Sequence, residues 1–105
     1  MSDPKLNDQY ENETDTIEDL EPPARYKVIM LNDDYTTMEF VIQVLTEIFA
    51  KGAEEAYNLM LLIHEKGSAV CGIYSYEIAE SKIQQVRTLA RKHSYPLRVV
   101  LEEEK

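Results

Sequence analysis

The residues best suited to binding chemistry stand in one short run, Asn32-Asp33-Asp34, which places an amide beside two carboxylates. Adjacent negative charges repel each other unless a cation comes between them. Carboxylate and amide oxygens are hydrogen-bond acceptors, so a ligand that is positively charged and rich in N–H donors would suit this run. The same residue types form Asx turns ahead of helices, and a purely local role is therefore an alternative interpretation.

A further acceptor is His64, which the helical pattern places in the last turn of a helix. There it could simply complement the negative end of the helix dipole. However, Met60, Ile63 and His64 are spaced i, i+3 and i+4 and therefore share one face of that helix. Met38 and Val41 share a face in the same way at the start of the preceding helix.

The short connection at Gly52 favours antiparallel packing of these two helices. In that arrangement His64 returns to the start of the first helix, close to Asn32 and Asp34. We therefore predict a polar ring above an apolar hole, lined by Met38, Val41, Met60 and Ile63. Ordinary packing in the core is the alternative interpretation of those four apolar residues.

Hydrophobic periodicity and turn signals predict six elements that would position these residues. They are a strand at 25–31, a helix with Thr36 as N-cap and Glu39 in a capping box, a helix at 53–66 ended by Gly67, a strand at 69–74, a helix capped by Ser75 and ending near 91–93, and a strand at 97–102. The order β-α-α-β-α-β predicts an α+β fold. We expect a two-layer sandwich with three helices covering one face of a three-stranded, mostly antiparallel sheet.

Charge divides the chain into two parts. The formal net charge is −9, and residues 1–23 contain eight acidic residues and one basic residue. Because this segment shows no apolar period, we predict a disordered acidic N-terminal tail at 1–23 and a folded domain at 24–105. The excess of acidic over basic residues disfavours nucleic acid and anionic membranes as partners. With Cys71 as its single cysteine, and no secretory or transmembrane pattern, the chain is expected in the cytoplasm.

Motifs for catalysis are not apparent. We find no zinc-binding Cys/His spacing, glycine-rich phosphate loop or nucleophile elbow, so we expect a binding module without metal or cofactor rather than an enzyme. Two alternatives remain at this point. The acidic pair could bind Mg²⁺ in a phosphoacceptor-like domain, which would need a doubly wound sheet. The chain could also be a generic protein-interaction domain in which the acidic turn only caps a helix.

Four segments resemble the ClpS family in the same order: YKVIMLNDDYTTMEFVIQVL, LMLLIHEKGSAVCGIY, EIAESK and HSYPLRVVLE. The resemblance implies an adaptor in proteolysis, which binds N-degron (N-end rule) substrates beginning with Leu, Phe, Tyr or Trp. It would deliver them to a ClpA-type AAA+ unfoldase for degradation by ClpP. One departure from the family pattern is Thr37, where many relatives have proline, and we expect little consequence because proline at a helix start is a preference.

The resemblance also assigns roles to the matched positions. The α-ammonium group of the substrate would be held by Asn32, Asp34 and His64. The first peptide units would be contacted by Asp33 and Thr36. The first side chain would enter a pocket lined by Met38, Val41, Met60, Ile63 and Leu97. Within that pocket Met38 would disfavour β-branched first residues.

The resemblance places the contact with the N-terminal domain of the unfoldase on the third helix. The residues implied are Glu77, Glu80 and Lys82. A solvated helix face is the alternative interpretation of this charge pattern. We expect the adaptor to act as a monomer.

Overall fold

The computed structural model describes residues 22–105. The predicted disordered tail, residues 1–23, lies outside the described residues except for Pro22 and Pro23, so the division into tail and domain stays a prediction. No helix within residues 22–105 combines the length and the apolar character needed to cross a bilayer.

Three strands and three helices follow each other in the predicted order β-α-α-β-α-β. They are β1 (Tyr26–Leu31), α1 (Met38–Glu47), α2 (Ala53–Lys66), β2 (Ser68–Tyr74), α3 (Tyr76–Lys92) and β3 (Arg98–Glu103). The number, type and order of the elements are confirmed. The strand bounds shift by one residue from those predicted, as is usual for element ends.

The central strand of the sheet is β1, in the order β2-β1-β3. Both pairings are antiparallel, so the predicted sheet is confirmed and contains no parallel pair among the described strands. An interruption of register opposite Val28 and Ile29 makes Cys71 an extra residue in β2. This topology is not the doubly wound sheet that the phosphoacceptor alternative requires.

The helices cover the sheet with their apolar stripes. Packing against the sheet comes chiefly from α3, which contacts all three strands, and from α2, which contacts α1 and β2. Side chains that are fully buried include Val28 and Met30 of β1, Val44 and Leu45 of α1, and Val86 of α3. This arrangement fixes the ends of β1, α1 and α2 relative to each other.

Residues from other elements close the end of α1. The Lys82 Nζ atom of α3 donates to the Ile48 carbonyl at 2.8 Å, and it lies 5.8 Å from the centre of the Tyr74 ring. The backbone N–H of Lys51 donates to the Leu45 carbonyl at 3.0 Å. These bonds satisfy carbonyls that a helix end leaves unpaired. They tie α3 to the end of α1.

Candidate functional site

The loop between β1 and α1 is organised by Asp33. Its Oδ1 atom accepts the backbone N–H groups of Tyr35 at 2.8 Å and Thr36 at 2.7 Å. Its Oδ2 atom accepts the Thr36 hydroxyl at 2.7 Å. This is an Asx-type turn, so the local interpretation of the acidic run is confirmed for Asp33. Both oxygens of this carboxylate are therefore engaged by its own loop.

These hydrogen bonds change the acidity of Asp33. Burial by itself would raise the pKa of this carboxyl group, but the bonds from the Thr36 amide and hydroxyl and from the Tyr35 amide together outweigh burial. The pKa of Asp33 therefore lies below its ordinary value. The charged form is the one that holds the loop.

The predicted N-cap of α1, Thr36, is wrong by one residue. The helix begins at Met38, and the Thr37 hydroxyl accepts the Phe40 N–H at 3.1 Å. Thr36 lies one residue ahead of the N-cap, and its hydroxyl donates to Asp33 within the loop. The capping box with Glu39 at N3 does not form, since N3 of this helix is Phe40.

A main-chain contact joins the start of this loop to the end of α2. The Asn32 N–H donates to the Gly67 carbonyl at 2.9 Å, and the Gly67 N–H donates to the Ile63 carbonyl at 2.8 Å. Gly67 adopts φ 95°, a left-handed conformation that favours glycine at a helix C-terminus. The polar ends of β1 and α2, which carry Asn32 and His64, are thereby held side by side.

A cavity of about 400 Å³ lies between this loop, α1 and α2. Its lining comes from the loop, the first turn of α1 and the last two turns of α2: Asn32, Asp33, Asp34, Tyr35, Thr36, Thr37, Met38, Val41, Met60, Ile63 and His64. The predicted polar residues and four of the five predicted apolar residues therefore meet at one place.

The cavity has two parts with different surroundings. Its polar rim, defined as Asn32, Asp34 and His64, is exposed. No side chain of the polar rim is hydrogen-bonded or ion-paired to another residue within 22–105. Its acceptors are thus available to a ligand.

The apolar base of the cavity consists of Val41, Met60 and Ile63, which are at most 7% exposed. Met38 stands at the mouth and is 48% exposed. The base belongs to the hydrophobic core. A ligand side chain entering the cavity would therefore leave water for an apolar surface that the fold already supports.

Leu97, the fifth predicted apolar residue, does not contribute to the lining of this cavity, and its place in the pocket stays a prediction. Leu97 is buried just ahead of β3. It lines a separate cavity of about 240 Å³ together with Arg87 of α3 and the first residues of β3. It also belongs to the same hydrophobic core as Val41, Met60 and Ile63.

The three residues predicted to contact an unfoldase lie along the first half of α3. Glu77 is exposed, whereas Glu80 and Lys82 are half-buried. The Glu80 carboxylate beside the Tyr76 hydroxyl raises the pKa of that tyrosine. Lys82 is engaged with the end of α1, so it has a structural contact in addition to any role at the surface.

Two residues of the cavity were not predicted from the sequence. Tyr35 is 77% exposed at the mouth. Thr37 lines the cavity as well as capping α1, and its hydroxyl also points to the Tyr95 hydroxyl at 3.4 Å. An aromatic residue within a polar turn, between Asp34 and Thr36, is the sequence signal that could have indicated a role for Tyr35 at the cavity.

A second opening does not combine several charged or polar acceptors with an apolar base. A larger and more open cavity of about 530 Å³ runs along α3 near Ile48, and Lys92 is the one charged residue in its lining. Within residues 22–105 no three His, Cys, Asp or Glu side chains are grouped to hold a metal ion. The arrangement at the 400 Å³ cavity suits an organic cation joined to an apolar group.

Comparison with known proteins identifies relatives of this chain. The family model described as "ATP-dependent Clp protease adaptor protein ClpS" matches residues 21–100. An ATP-dependent Clp protease adapter protein ClpS from Oleidesulfovibrio alaskensis is 46% identical over 103 residues, covering 98% of this chain and 99% of that protein. The protein of the same name from Helicobacter hepaticus is 50% identical over 94 residues, covering 90% and 93%.

A solved structure shares the fold. The structure of Agrobacterium tumefaciens ClpS2 bound to L-phenylalaninamide matches with a TM-score of 0.76 and 37% identity, covering 79% of this chain and all of that one. The family match, the close relatives and the shared fold lead to one conclusion: this chain belongs to the ClpS family of ATP-dependent Clp protease adaptor proteins.

Proposed function

We propose that this chain captures the free α-amino end of a protein whose first residue is Leu, Phe, Tyr or Trp, and delivers it to a ClpA-type AAA+ unfoldase for degradation by ClpP. The observation that carries the proposal is the cavity itself. It combines three acceptors without a described partner, on Asn32, Asp34 and His64, with a buried apolar base.

The chemistry of an α-ammonium group matches the polar rim. An ammonium has three N–H donors and no acceptor, so a carboxylate, an amide oxygen and a neutral imidazole nitrogen can satisfy it together. Charged hydrogen bonds of this kind contribute about 1.5–3 kcal/mol each. Asp34 supplies the opposite charge.

The apolar base supplies the second part of recognition. Burying a Leu- or Phe-sized side chain contributes roughly 1.5–3 kcal/mol. After the cost of association, the sum suits micromolar binding, on the order of 8 kcal/mol. The ligand of the related Agrobacterium tumefaciens ClpS2, L-phenylalaninamide, has a free amino group beside a benzyl side chain, which supports the same combination here.

Asp33 and Thr36 take different parts in this proposal. The carboxylate of Asp33 is engaged within the loop, so its contribution is to hold the loop in place. The Thr36 hydroxyl donates its proton to Asp33, and its lone pairs remain able to accept an N–H group from the first peptide units.

Delivery uses a different surface. We assign the contact with the N-terminal domain of the unfoldase to the first half of α3, with Glu77 and Glu80 at the surface and Lys82 between α3 and the end of α1. In this role the chain acts as a monomer in the cytoplasm and needs no catalytic group, metal or cofactor. Charge reversal at Glu77 should weaken binding to the N-terminal domain while peptide affinity is retained.

The direct test is fluorescence anisotropy with labelled peptides that differ only at their first residue. Peptides beginning with Leu or Phe should bind, and versions that are acetylated or that begin with Val or Arg should bind far more weakly. Acetylation removes the charge and two of the three N–H donors, which leaves acceptors of the polar rim unpaired. Equal affinity for free and acetylated peptides would refute the proposal and favour a generic interaction domain.

A further inference from the structure

Basic and acidic residues are separated along the chain. Residues 81–101 contain five Lys or Arg residues and no Asp or Glu, whereas residues 1–21 contain eight acidic residues and one lysine. Two stretches of equal length and opposite charge thus flank a body whose other charges are mixed. Opposite charges of this size attract each other over roughly one Debye length, about 10 Å at 0.1 M salt.

Three of these cations share one surface of the fold, which we call the basic face: Arg87, Arg91 and Arg98. Arg87 and Arg91 are one turn apart on α3. Arg87 and Arg98 line the same cavity of about 240 Å³ between α3 and β3. All three are exposed.

None of the three arginines of the basic face forms an ion pair with an acidic residue within 22–105. The ion pairs within residues 22–105 are Arg25–Glu104 and Lys51–Glu55. A position near the C-terminus of α3 would by itself favour Arg91 through the helix dipole. That explanation does not extend to Arg87, in the middle of the helix, or to Arg98, on a strand.

We propose that the basic face is a docking surface for the acidic segment of the same chain, residues 1–21. Guanidinium groups pair with carboxylates through two parallel hydrogen bonds, and the cavity between Arg87 and Arg98 offers two such groups at one opening. An acidic peptide complements the positive charge of the basic face. The segment is such a peptide, and it is covalently attached.

The chain can reach this surface. The acidic segment leads into β1, where Tyr26 lies opposite Glu103, while Leu31 at the other end of β1 lies opposite Arg98. Five residues of strand separate the two ends, a distance of about 17 Å. A 21-residue chain with coil dimensions spans about 25 Å on average, and such a tether corresponds to a millimolar effective concentration. Weak ion pairs are then sufficient for docking.

Docking would place the segment beside α3 until a competitor displaces it. A partner that binds the acidic segment would expose the basic face, and a partner that binds the basic face would free the segment. Both follow because the segment and the face would be joined by the same ion pairs. The inference does not depend on capture of amino ends at the 400 Å³ cavity.

Paramagnetic broadening in NMR spectra of the full chain tests this inference. A nitroxide is attached through Asn12→Cys, and the native Cys71 is protected from labelling because burial raises its pKa to about 12. At about 0.01 M salt the amide signals of Arg87, Arg91 and Arg98 should be lost. They should return at about 1 M salt, where the Debye length is about 3 Å.

Matched variants identify the contact. Arg87→Gln with Arg98→Gln should restore the signals at low salt, whereas Lys66→Gln, which removes an exposed cation elsewhere, should not. If the arginine variant fails to fold, Glu18→Lys with Asp19→Lys and Glu21→Lys should restore the signals while the domain is left unchanged. Broadening that is absent at low salt, or that survives these charge changes, would overturn the proposal. Shifts of the same amides by a single-stranded oligonucleotide without any effect of the label would assign the face to another anion and would also overturn it.

Discussion

The polar rim and the apolar base of the 400 Å³ cavity differ in how they are tied to the fold. The rim residues Asn32, Asp34 and His64 are exposed and make no side-chain bond to other described residues. The base residues Val41, Met60 and Ile63 are also core residues. Changes in the rim should therefore alter binding alone, while changes in the base should alter binding and folding together. Specificity for a charged end can be adjusted separately from stability, whereas specificity for the side chain cannot.

The largest expected effect is at the base. Ile63→Ala should lower the free energy of unfolding by about 2–5 kcal/mol, because it removes buried methyl groups and leaves a cavity in the core. Urea denaturation followed by circular dichroism measures this change. Leu62→Ala is the matched control, since Leu62 is the adjacent residue of α2 and is 42% exposed. Equal losses for the two variants would show that the base does not belong to the core.

At the rim, Asp34→Ala should weaken binding of a Leu- or Phe-initial peptide by about 10- to 150-fold, equivalent to one charged hydrogen bond of about 1.5–3 kcal/mol. The free energy of unfolding should stay within about 0.5 kcal/mol of the parent value, as for other surface changes. Anisotropy and urea denaturation give the two values. Glu65→Ala, an exposed acid beside His64 that does not line the cavity, should leave binding nearly unchanged. A large loss of stability in Asp34→Ala would contradict the separation of rim and base.

A smaller effect is expected between rim and base, where Thr37 caps α1. Thr37→Ala should cost about 1 kcal/mol of stability because the Phe40 N–H loses its acceptor. Thr37→Pro also removes the hydroxyl. The φ of −73° at this position is already close to that of proline, however, so proline fits without strain and lowers the conformational entropy of the unfolded chain. Thermal unfolding should therefore rank Thr37→Pro between the parent and Thr37→Ala. If Thr37→Pro is no more stable than Thr37→Ala, the fixed φ of proline gives no compensation at this position.

The smallest effect is the acid dependence of stability that arises from Asp33. Its folded-state pKa lies below the ordinary value of 3.8, so its contribution is fully present above that value and is lost as pH falls through the folded-state pKa. Between about pH 5 and pH 2 the parent should lose more thermal stability than Asp33→Asn. If Asp33→Asn behaves like the parent, the loop bonds are not coupled to its charge.

Element order and most of the cavity could be predicted from the sequence because each rests on a local pattern. Spacing on α2 placed Ile63 and His64 on one face, and a glycine marked the end of that helix. The predicted cap of α1 is wrong by one residue because Thr36 and Thr37 are equally suitable in type, and the position of Thr36 within the Asp33 turn is not visible in the sequence.

Leu97 illustrates a different limit of sequence reasoning. Its assignment to the pocket comes from resemblance alone and stays a prediction, because the contacts of a buried residue ahead of a strand depend on packing that no local pattern reports. Tyr35 was overlooked for a related reason, since its side chain has little burial to mark it. Whether residues 1–23 are disordered stays a prediction.

The main-chain bond between Asn32 and Gly67 has a consequence for how such a pocket can diversify. The contact between the β1–α1 loop and the end of α2 is made by backbone atoms. The side chains that line the cavity can therefore be substituted without removing this contact. A bulkier residue at position 67 would be strained at φ 95° and would shift both walls at once. Substitutions of the cavity-lining side chains should therefore destabilise the fold less than substitution of Gly67. The same backbone could then support pockets with different ligand preferences.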